Sequence, residues 1–251
     1  YGKTFDALKD ALAYYNKNQL VFDVLIVTDF EVTYFKFRPE LKNKFILRQS
    51  GLKKPINEIN DIFKSILINS NILNKYKYLI FVEDDNFIFP NAILNCKKFM
   101  EKNLNYISSN GKAFLFLKSK NFKYLNLYNL PSSLQSKNFL IRANKYGGGI
   151  FYYSLFRRII FIKILRNIIK IQDNNLSEIL FNFQAIKLGK HKRLNHIFLA
   201  REYPRPKIYN IPNVSKWFQF ENLLKEIKIV SKILTKNMKK KDKMTYLTLT
   251  L

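Results

Sequence analysis

An acidic cluster with the sequence EDDN (83–86) directly follows an apolar, β-prone run, Tyr78–Val82, which predicts a buried strand. The chain has 18 acidic residues against 44 basic ones, and three of the acids stand side by side here. Adjacent carboxylates repel unless a cation lies between them, and Mg²⁺ or Mn²⁺ prefers such oxygen ligands, with substrate phosphates completing its coordination. Because open α/β sheets bind ligands beyond the carboxyl ends of their strands, the cluster suits a metal–diphosphate site. The alternative is a solvated acidic turn.

The length and composition of the chain fit one large domain, alone or with a small appendage. Its 251 residues are 47% hydrophobic, and the low counts of 7 Gly and 7 Pro argue against a disordered chain. The net charge of +26 favours anionic partners, namely nucleic acid, nucleoside diphosphates or anionic lipid, and does not choose among them. The single cysteine, Cys96, excludes an internal disulfide. No apolar run approaches the roughly 20 residues that a membrane span needs.

Helix-like and strand-like patterns alternate along the chain and predict an α/β fold, a mixed and mostly parallel sheet flanked by helices. Such a fold would be expected to begin with a strand before Thr4, and that first strand is missing from the sequence. The predicted helices cover residues 4–16, 55–72, 90–103, 154–171, 174–188 and 222–241, and the predicted strands 21–28, 45–47, 78–82, 113–117, 149–153 and 196–199.

The same patterns divide the chain into residues 1–205, which carry the α/β signals, and residues 206–251, a basic helical extension. The extension is predicted to be an amphipathic helix that closes with three consecutive lysines (239–241). Such a helix suits an anionic membrane surface, and the alternative is a helix that packs on the domain with a solvated basic face. Its apolar stripe consists of Leu223, Ile227, Val230 and Leu234.

The order of these segments resembles the GT-A fold glycosyltransferases, closest to the family 2 type, over about residues 4–200. The segments that carry the resemblance are EDDN at the family's DXD position, KYGGGIFYYSLFRRI (145–159) and QDNNLSEILFNFQAIKLG (172–189). The resemblance implies a Rossmann-like GT-A domain that moves a sugar from a nucleotide-diphosphate donor to a glycan or lipid-linked acceptor, with inversion, in surface polysaccharide synthesis. It also implies a cytoplasmic enzyme that can work as a peripheral protein at the inner face of the cell membrane.

On the donor side, the resemblance implies that Asp85 binds Mn²⁺ or Mg²⁺. Glu83 would take the first position of the motif, near the ribose or the metal, with Asp84 between the two. The metal would neutralise the charge that grows on the leaving diphosphate. Many relatives carry a metal- or phosphate-contacting His after the strand near residue 199, where this chain has Arg201.

The resemblance also assigns residues to the nucleotide. Asp29, at the end of the second strand, would accept a hydrogen bond from the base, and an ordinary turn residue is the alternative. Arg48, Lys53 and Lys54 occupy the loop that leads to the diphosphate in this family, and a solvated loop is the alternative for them.

On the acceptor side, the resemblance implies that the general base is Asp173, which follows Gln172 at the position of the family's acidic pair. Asp173 also has the sequence context of an ordinary helix N-cap. Gly147, Gly148 and Gly149 would let the backbone approach the sugar or the acceptor, whereas a hairpin turn would explain them nearly as well.

Two other functions stay open on the sequence. Paired carboxylates with two metals also serve nucleotidyltransferases, although no Gly-rich phosphate loop accompanies the acids here. The net charge suits a non-enzymatic nucleic-acid binder, yet the basic residues are spread along the chain rather than gathered with aromatics. Nucleic acid is therefore the less favoured partner.

Overall fold

The structure is a computed structural model that describes residues 5–18, 20–28, 39, 44–49, 51, 59–83, 86–117, 123–202 and 220–249. Within these ranges no helix is both long enough and apolar enough to cross a lipid bilayer. The described helices are α1 (Phe5–Lys17), α2 (Ile59–Ile68), α3 (Pro90–Lys102), α4 (Phe139–Asn144), α5 (Arg158–Ile168), α6 (Asn174–Leu188), α7 (Phe220–Thr235) and α8 (Lys240–Thr248), with 3₁₀ turns at Ser70–Lys75 and Phe151–Tyr153.

The described strands form a mixed sheet of six strands and a separate parallel pair, β1 with β2. In the large sheet the order is β3-β7-β5-β8-β4, and β6 pairs with β5. Only β5 and β8 run parallel among its described pairs. The strands are β1 (Val24–Thr28), β2 (Phe45–Gln49), β3 (Tyr78–Leu79), β4 (Asn86–Ile88), β5 (Tyr106–Leu117), β6 (Lys123–Tyr128), β7 (Leu155–Arg157) and β8 (Lys190–Glu202).

The mixed sheet flanked by helices confirms the predicted α/β class, while most of the described strand pairs are antiparallel rather than parallel. Short connections allow only antiparallel neighbours, as in the pairing of β5 with β6 across residues 118–122. Strand β5 begins well before the predicted strand 113–117 and includes Asn110 and Gly111. A Cβ at Gly111 would lie 2.4 Å from the carbonyl oxygen of His196, so close strand packing, rather than a turn, requires this glycine.

The strand predicted at 149–153 is also wrong, since Phe151–Tyr153 form a 3₁₀ turn. All three aromatic side chains of this turn are buried. Successive side chains of a strand would point to opposite faces, so a strand could not bury all three in one core. Burial of the three aromatic side chains therefore outweighs the β propensity of residues 149–153.

The core around this turn is aromatic. The ring of Phe81 lies 5.5 Å from that of Tyr152 and 5.5 Å from that of Phe63, measured between ring centroids. Phe181 of α6 packs against both Phe63 and Tyr152. Edge-to-face and stacked contacts of this kind fix ring orientation, so this layer orients the segments that lead to Glu83.

The C-terminal segment folds as two helices rather than the single predicted helix. The break falls at Asn237, whose φ of 63° lies in the left-handed region that ends a helix. The side chains of Val230 and Leu234 are fully buried in the main core, and the Tyr246 hydroxyl of α8 donates to the carbonyl of Phe183 in α6. The described part of the apolar stripe, Ile227, Val230 and Leu234, therefore packs on the protein.

Substitution of Gly149 tests the constraint on the glycine segment. Its φ is +97°, and a Cβ there would lie 2.7 Å from the carbonyl carbon of Leu130. We expect Gly149→Ala to lower the free energy of unfolding by roughly 1–3 kcal/mol through backbone strain alone. Gly147→Ala is the control, because no atom lies within 4 Å of its Cβ position. Equal urea midpoints for the two variants would contradict this assignment.

Candidate active site

The described ranges include some of the predicted site residues and leave out others. Glu83, Asp173 and the three glycines are described, and Arg48 lies exposed within β2 rather than in the predicted loop. The predicted residues that lie outside the described ranges are Asp29, Lys53, Lys54, Asp84 and Asp85.

Glu83 is the centre of a polar cluster between the sheet and α6. Its side chain is 8% exposed and makes an ion pair with Arg201, with 3.3 Å between Oε2 and Nη2. The same Oε2 accepts hydrogen bonds from the Tyr153 hydroxyl at 2.5 Å and from Nδ2 of Asn86 at 3.5 Å. Among the described residues these contacts all fall on Oε2, so Oε1 is the oxygen of Glu83 that can take another ligand.

Strand pairing places Arg201 beside Glu83. Arg201 of β8 pairs with Asn86 of β4, and the Asn86 N–H donates to the Glu83 carbonyl at 3.1 Å. Nη1 of Arg201 donates to the hydroxyls of Tyr128 (2.6 Å) and Tyr153 (3.2 Å). Burial raises the pKa of Tyr128 to about 12, so its hydroxyl stays protonated at neutral pH. The guanidinium is thus fixed by one carboxylate and two phenols.

Glu178, which was not singled out from the sequence, is a second carboxylate in this site. Its Oε1 accepts a hydrogen bond from the Tyr152 hydroxyl at 3.1 Å. Burial raises the pKa of Glu178, and the negative charge of Glu83 raises it further, while the Tyr152 hydrogen bond and the Arg201 charge lower it. The available sequence signal was that Glu178 is the single acid in an otherwise largely apolar helix, α6.

Asp173 lies at the start of the same helix and acts as its N-cap. Its Oδ1 accepts the Leu176 N–H at 2.8 Å, and its own N–H donates to Oε2 of Glu226 at 2.9 Å. Five residues separate Asp173 from Glu178, which corresponds to about 7.5 Å along the helix axis and about 140° around it. The two acids therefore face different directions, and the predicted catalytic role of Asp173 stays a prediction.

The glycine segment lies next to the carboxylate cluster. The Tyr146 hydroxyl donates to the Gly149 carbonyl, and the negative charge of Glu178 adds to burial in raising the pKa of Tyr146. The Phe151 N–H then donates to Oδ1 of Asn182, one turn after Glu178 on α6, at 3.0 Å. The glycines thus lead into the 3₁₀ turn whose tyrosines contact both carboxylates.

The side chains described here do not by themselves form a metal site. Within the described ranges, which leave out Asp84 and Asp85, no group of three His, Cys, Asp or Glu residues is placed to hold a metal ion. What the cluster offers is a guanidinium, three phenols and two carboxylates at the edge of a mixed sheet. Such a set can bind an anionic group and move a proton.

The fold is similar to that of the crystal structure of S. aureus TarS, a glycosyltransferase, with a TM-score of 0.55 and 12% sequence identity. The match covers 95% of this chain and 39% of the TarS chain, so this chain spans well under half the length of its neighbour. No protein-family model and no curated protein matches the sequence. At this identity the similarity shows the fold alone, a GT-A-like mixed sheet flanked by helices, which confirms the predicted fold class.

Removal of Arg201 tests how the cluster is held together. Arg201→Ala would leave the buried Glu83 carboxylate without its cation, and we expect a loss of about 3 kcal/mol in the free energy of unfolding at neutral pH. In a Glu83→Gln background, Arg201→Ala should lower the free energy of unfolding by less than it does in the wild-type protein. The difference should be on the order of 1–3 kcal/mol, because the two residues are directly coupled. Equal costs in the two backgrounds, measured by urea unfolding, would show that the ion pair contributes nothing.

Proposed function

We propose that the protein is a metal-dependent glycosyltransferase that moves a sugar from a nucleotide-sugar donor to a glycan or lipid-linked acceptor, with inversion, in surface polysaccharide synthesis. The observation that carries the proposal is the pair of carboxylates in one largely buried site of a GT-A-like fold. Glu83 is paired with Arg201, and Glu178, on the facing helix, has a raised pKa. Two carboxylates in such different surroundings suit two different roles, a charged ligand on the donor side for Glu83 and a general base for Glu178.

On the donor side, we assign the metal to the acidic run that Glu83 begins. Oε2 of Glu83 is engaged by Arg201 and Tyr153, so Glu83 can contribute Oε1 to a cation, while Asp85 is the principal ligand. Carboxylate oxygens are the ligands that Mn²⁺ and Mg²⁺ prefer. A bound metal of this kind supplies a Lewis acid for the leaving diphosphate.

The remaining donor contacts rest on the sequence resemblance. Asp29 is proposed to accept from the base, Asp84 to lie between the two metal-side acids, and Lys53 and Lys54 to contact the diphosphate. Arg201 adds a fixed positive charge at the donor side of the cluster, since its guanidinium already bonds Glu83. A preorganised cation stabilises a developing negative charge without reorganisation during the reaction.

For the general base we propose Glu178 ahead of Asp173. A base works best when its pKa approaches the operating pH, and burial moves the pKa of Glu178 in that direction. The Tyr152 hydroxyl holds Oε1 of Glu178, which leaves the second oxygen to accept the proton of an acceptor hydroxyl. Asp173 is the candidate from the resemblance, but its Oδ1 already accepts the cap hydrogen bond.

The acceptor is proposed to approach along Gly147, Gly148 and Gly149. The exposed Gly147 has no atom within 4 Å of its Cβ position, so the chain leaves space there. Tyr146 holds this segment beside Glu178 through the Gly149 carbonyl. A hydroxyl that lies over the glycines would thus come close to the proposed base.

Assays of donor hydrolysis and transfer with a panel of nucleotide sugars and Mn²⁺ test the function. We expect Glu178→Gln to lower turnover on the order of 10²–10⁴-fold while nucleotide binding persists. Asp173→Asn is the matched variant, since Asn caps a helix as well as Asp does, and it should stay near wild type. Chelation should abolish turnover.

Loss of turnover in Asp173→Asn alone would identify Asp173 as the base. Failure of the wild-type protein to use any nucleotide sugar would contradict the proposed function.

The pH dependence gives a second test of Glu178. Glu178 must be deprotonated to act as a base, so turnover should rise with pH through its pKa, which lies above that of an ordinary Glu. Because the Tyr152 hydrogen bond lowers this pKa, Tyr152→Phe should shift the acidic limb of the kcat profile to higher pH. Tyr106→Phe, which removes a hydroxyl bonded to Gln135, should not shift it. An unmoved limb in Tyr152→Phe would exclude Glu178 as the titrating base.

A further inference from the structure

The exposed side chains of α5 and α7 have an unusual composition. Every exposed residue among the described side chains of these two helices is either a cation or a large aliphatic residue. Both helices pack against α6. The exposed residues are Ile159, Lys163 and Arg166 in α5, and Leu224, Lys225, Lys228 and Lys232 in α7. We call this set the α5–α7 face.

The lysines of α7 form one narrow stripe. Lys225, Lys228 and Lys232 recur at intervals of three and four residues, so they lie on one side of the helix over about 10 Å. Lys236, just after the end of α7, has the same spacing of four residues from Lys232. The opposite side of α7, with Val230 and Leu234, is buried in the core. The stripe is therefore a surface that the packing of α7 presents to the outside.

No acid balances these cations within the described side chains of the two helices. Glu226 of α7 is buried, and its two carboxylate oxygens accept the N–H groups of Gln172 and Asp173, each at 2.9 Å. The side chain of Glu221, at the start of α7, lies outside the described residues. Glu226 thus faces inward, and among the described side chains of α7 no carboxylate neutralises the positive charge of the lysine stripe.

The cations of this region also influence one another. Lys187, at the end of α6, donates to the carbonyls of Leu234 (2.8 Å) and Lys236 (2.7 Å). Burial lowers the pKa of Lys187, and the positive charges of Lys163 and Lys236 lower it further. The charges of Lys163, Lys187 and Lys236 are therefore close enough to repel, and an anionic surface would relieve that repulsion.

The high lysine content of the chain does not by itself produce such a face. Helix α3 is also exposed on one side, and there Lys97 makes an ion pair with Glu101 at 3.8 Å, next to exposed Asn91 and Asn95. That mixture is typical of a solvated helix surface. The difference between α3 and the α5–α7 face points to a partner for the latter.

We propose that the α5–α7 face is a docking surface for an anionic lipid bilayer. Exposed Ile159 (71%) and Leu224 (45%) lie among the cations, and aliphatic side chains in that position suit the boundary between head groups and acyl chains. A single-stranded nucleic acid would instead favour exposed aromatic rings, and the aromatic residue described in α5, Phe161, is buried. The mode of binding is adsorption of the basic face rather than insertion of α7, because Ile227, Val230 and Leu234 of α7 already pack in or against the core.

Sedimentation with vesicles tests this inference without any substrate. We expect the wild-type protein to bind vesicles of equal parts phosphatidylcholine and phosphatidylglycerol, to bind pure phosphatidylcholine weakly, and to dissociate as the salt concentration rises. Each basic residue contributes roughly five-fold to such binding, so the triple change Lys225→Gln, Lys228→Gln and Lys232→Gln should weaken it about 100-fold.

The matched control is the triple change Lys97→Gln, Lys98→Gln and Lys102→Gln on α3, which removes the same charge from exposed positions. Vesicle binding should fall only a few-fold in this control. Equal losses in the two triple variants would mean that net charge alone drives binding, and would overturn the proposal. Circular dichroism of both variants establishes that they are folded.

Leu224→Ser distinguishes lipid from other polyanions. It should weaken binding to anionic vesicles and leave binding to a single-stranded RNA oligonucleotide unchanged, because only a bilayer offers an apolar phase. Tighter binding of the wild-type protein to that RNA than to vesicles, with loss of RNA binding in the α7 triple variant, would identify a nucleic-acid surface and overturn the lipid assignment.

Discussion

The ion pair between Glu83 and Arg201 is the interaction on which the site depends. A carboxylate that is 8% exposed would cost several kcal/mol if it had no cation beside it, so the chain must bring Arg201 to this point. The pairing of β4 with β8 does so by setting Asn86 opposite Arg201. Tyr153 then bonds both charged groups, and the acidic run that follows Glu83 starts from a fixed position.

The aromatic layer beneath the pair divides the site into two halves. Tyr152 and Tyr153 are adjacent in the chain, their ring centroids are 4.6 Å apart, and the 3₁₀ turn sends one hydroxyl to Glu178 and the other to Glu83. A strand at this point would have pointed the two rings to opposite faces of a sheet. The same turn therefore completes the core and links the proposed donor side to the proposed acceptor side.

The sequence predicted features that depend on local chemistry better than those that depend on distant contacts. Helix α6 has the predicted bounds, because the Asp173 cap and Gly189 at its end are local signals. Glu178 was missed because its surroundings depend on Tyr152, 26 residues away, and on Glu83. The strand predicted at 149–153 was wrong since burial of three aromatic rings outweighed β propensity. The role of Asp85 stays a prediction from the motif that surrounds it.

A crystal structure of the protein with UDP and Mn²⁺ would test most directly whether this cluster is a donor site. We expect the diphosphate to lie on the Glu83 side of the cluster, with Mn²⁺ bound by Asp85, and Glu178 to face the open side where the sugar would be. The Glu83–Arg201 pair should persist in the complex. A nucleotide bound away from Glu83, or a metal held by residues other than the acidic run, would contradict the assignment.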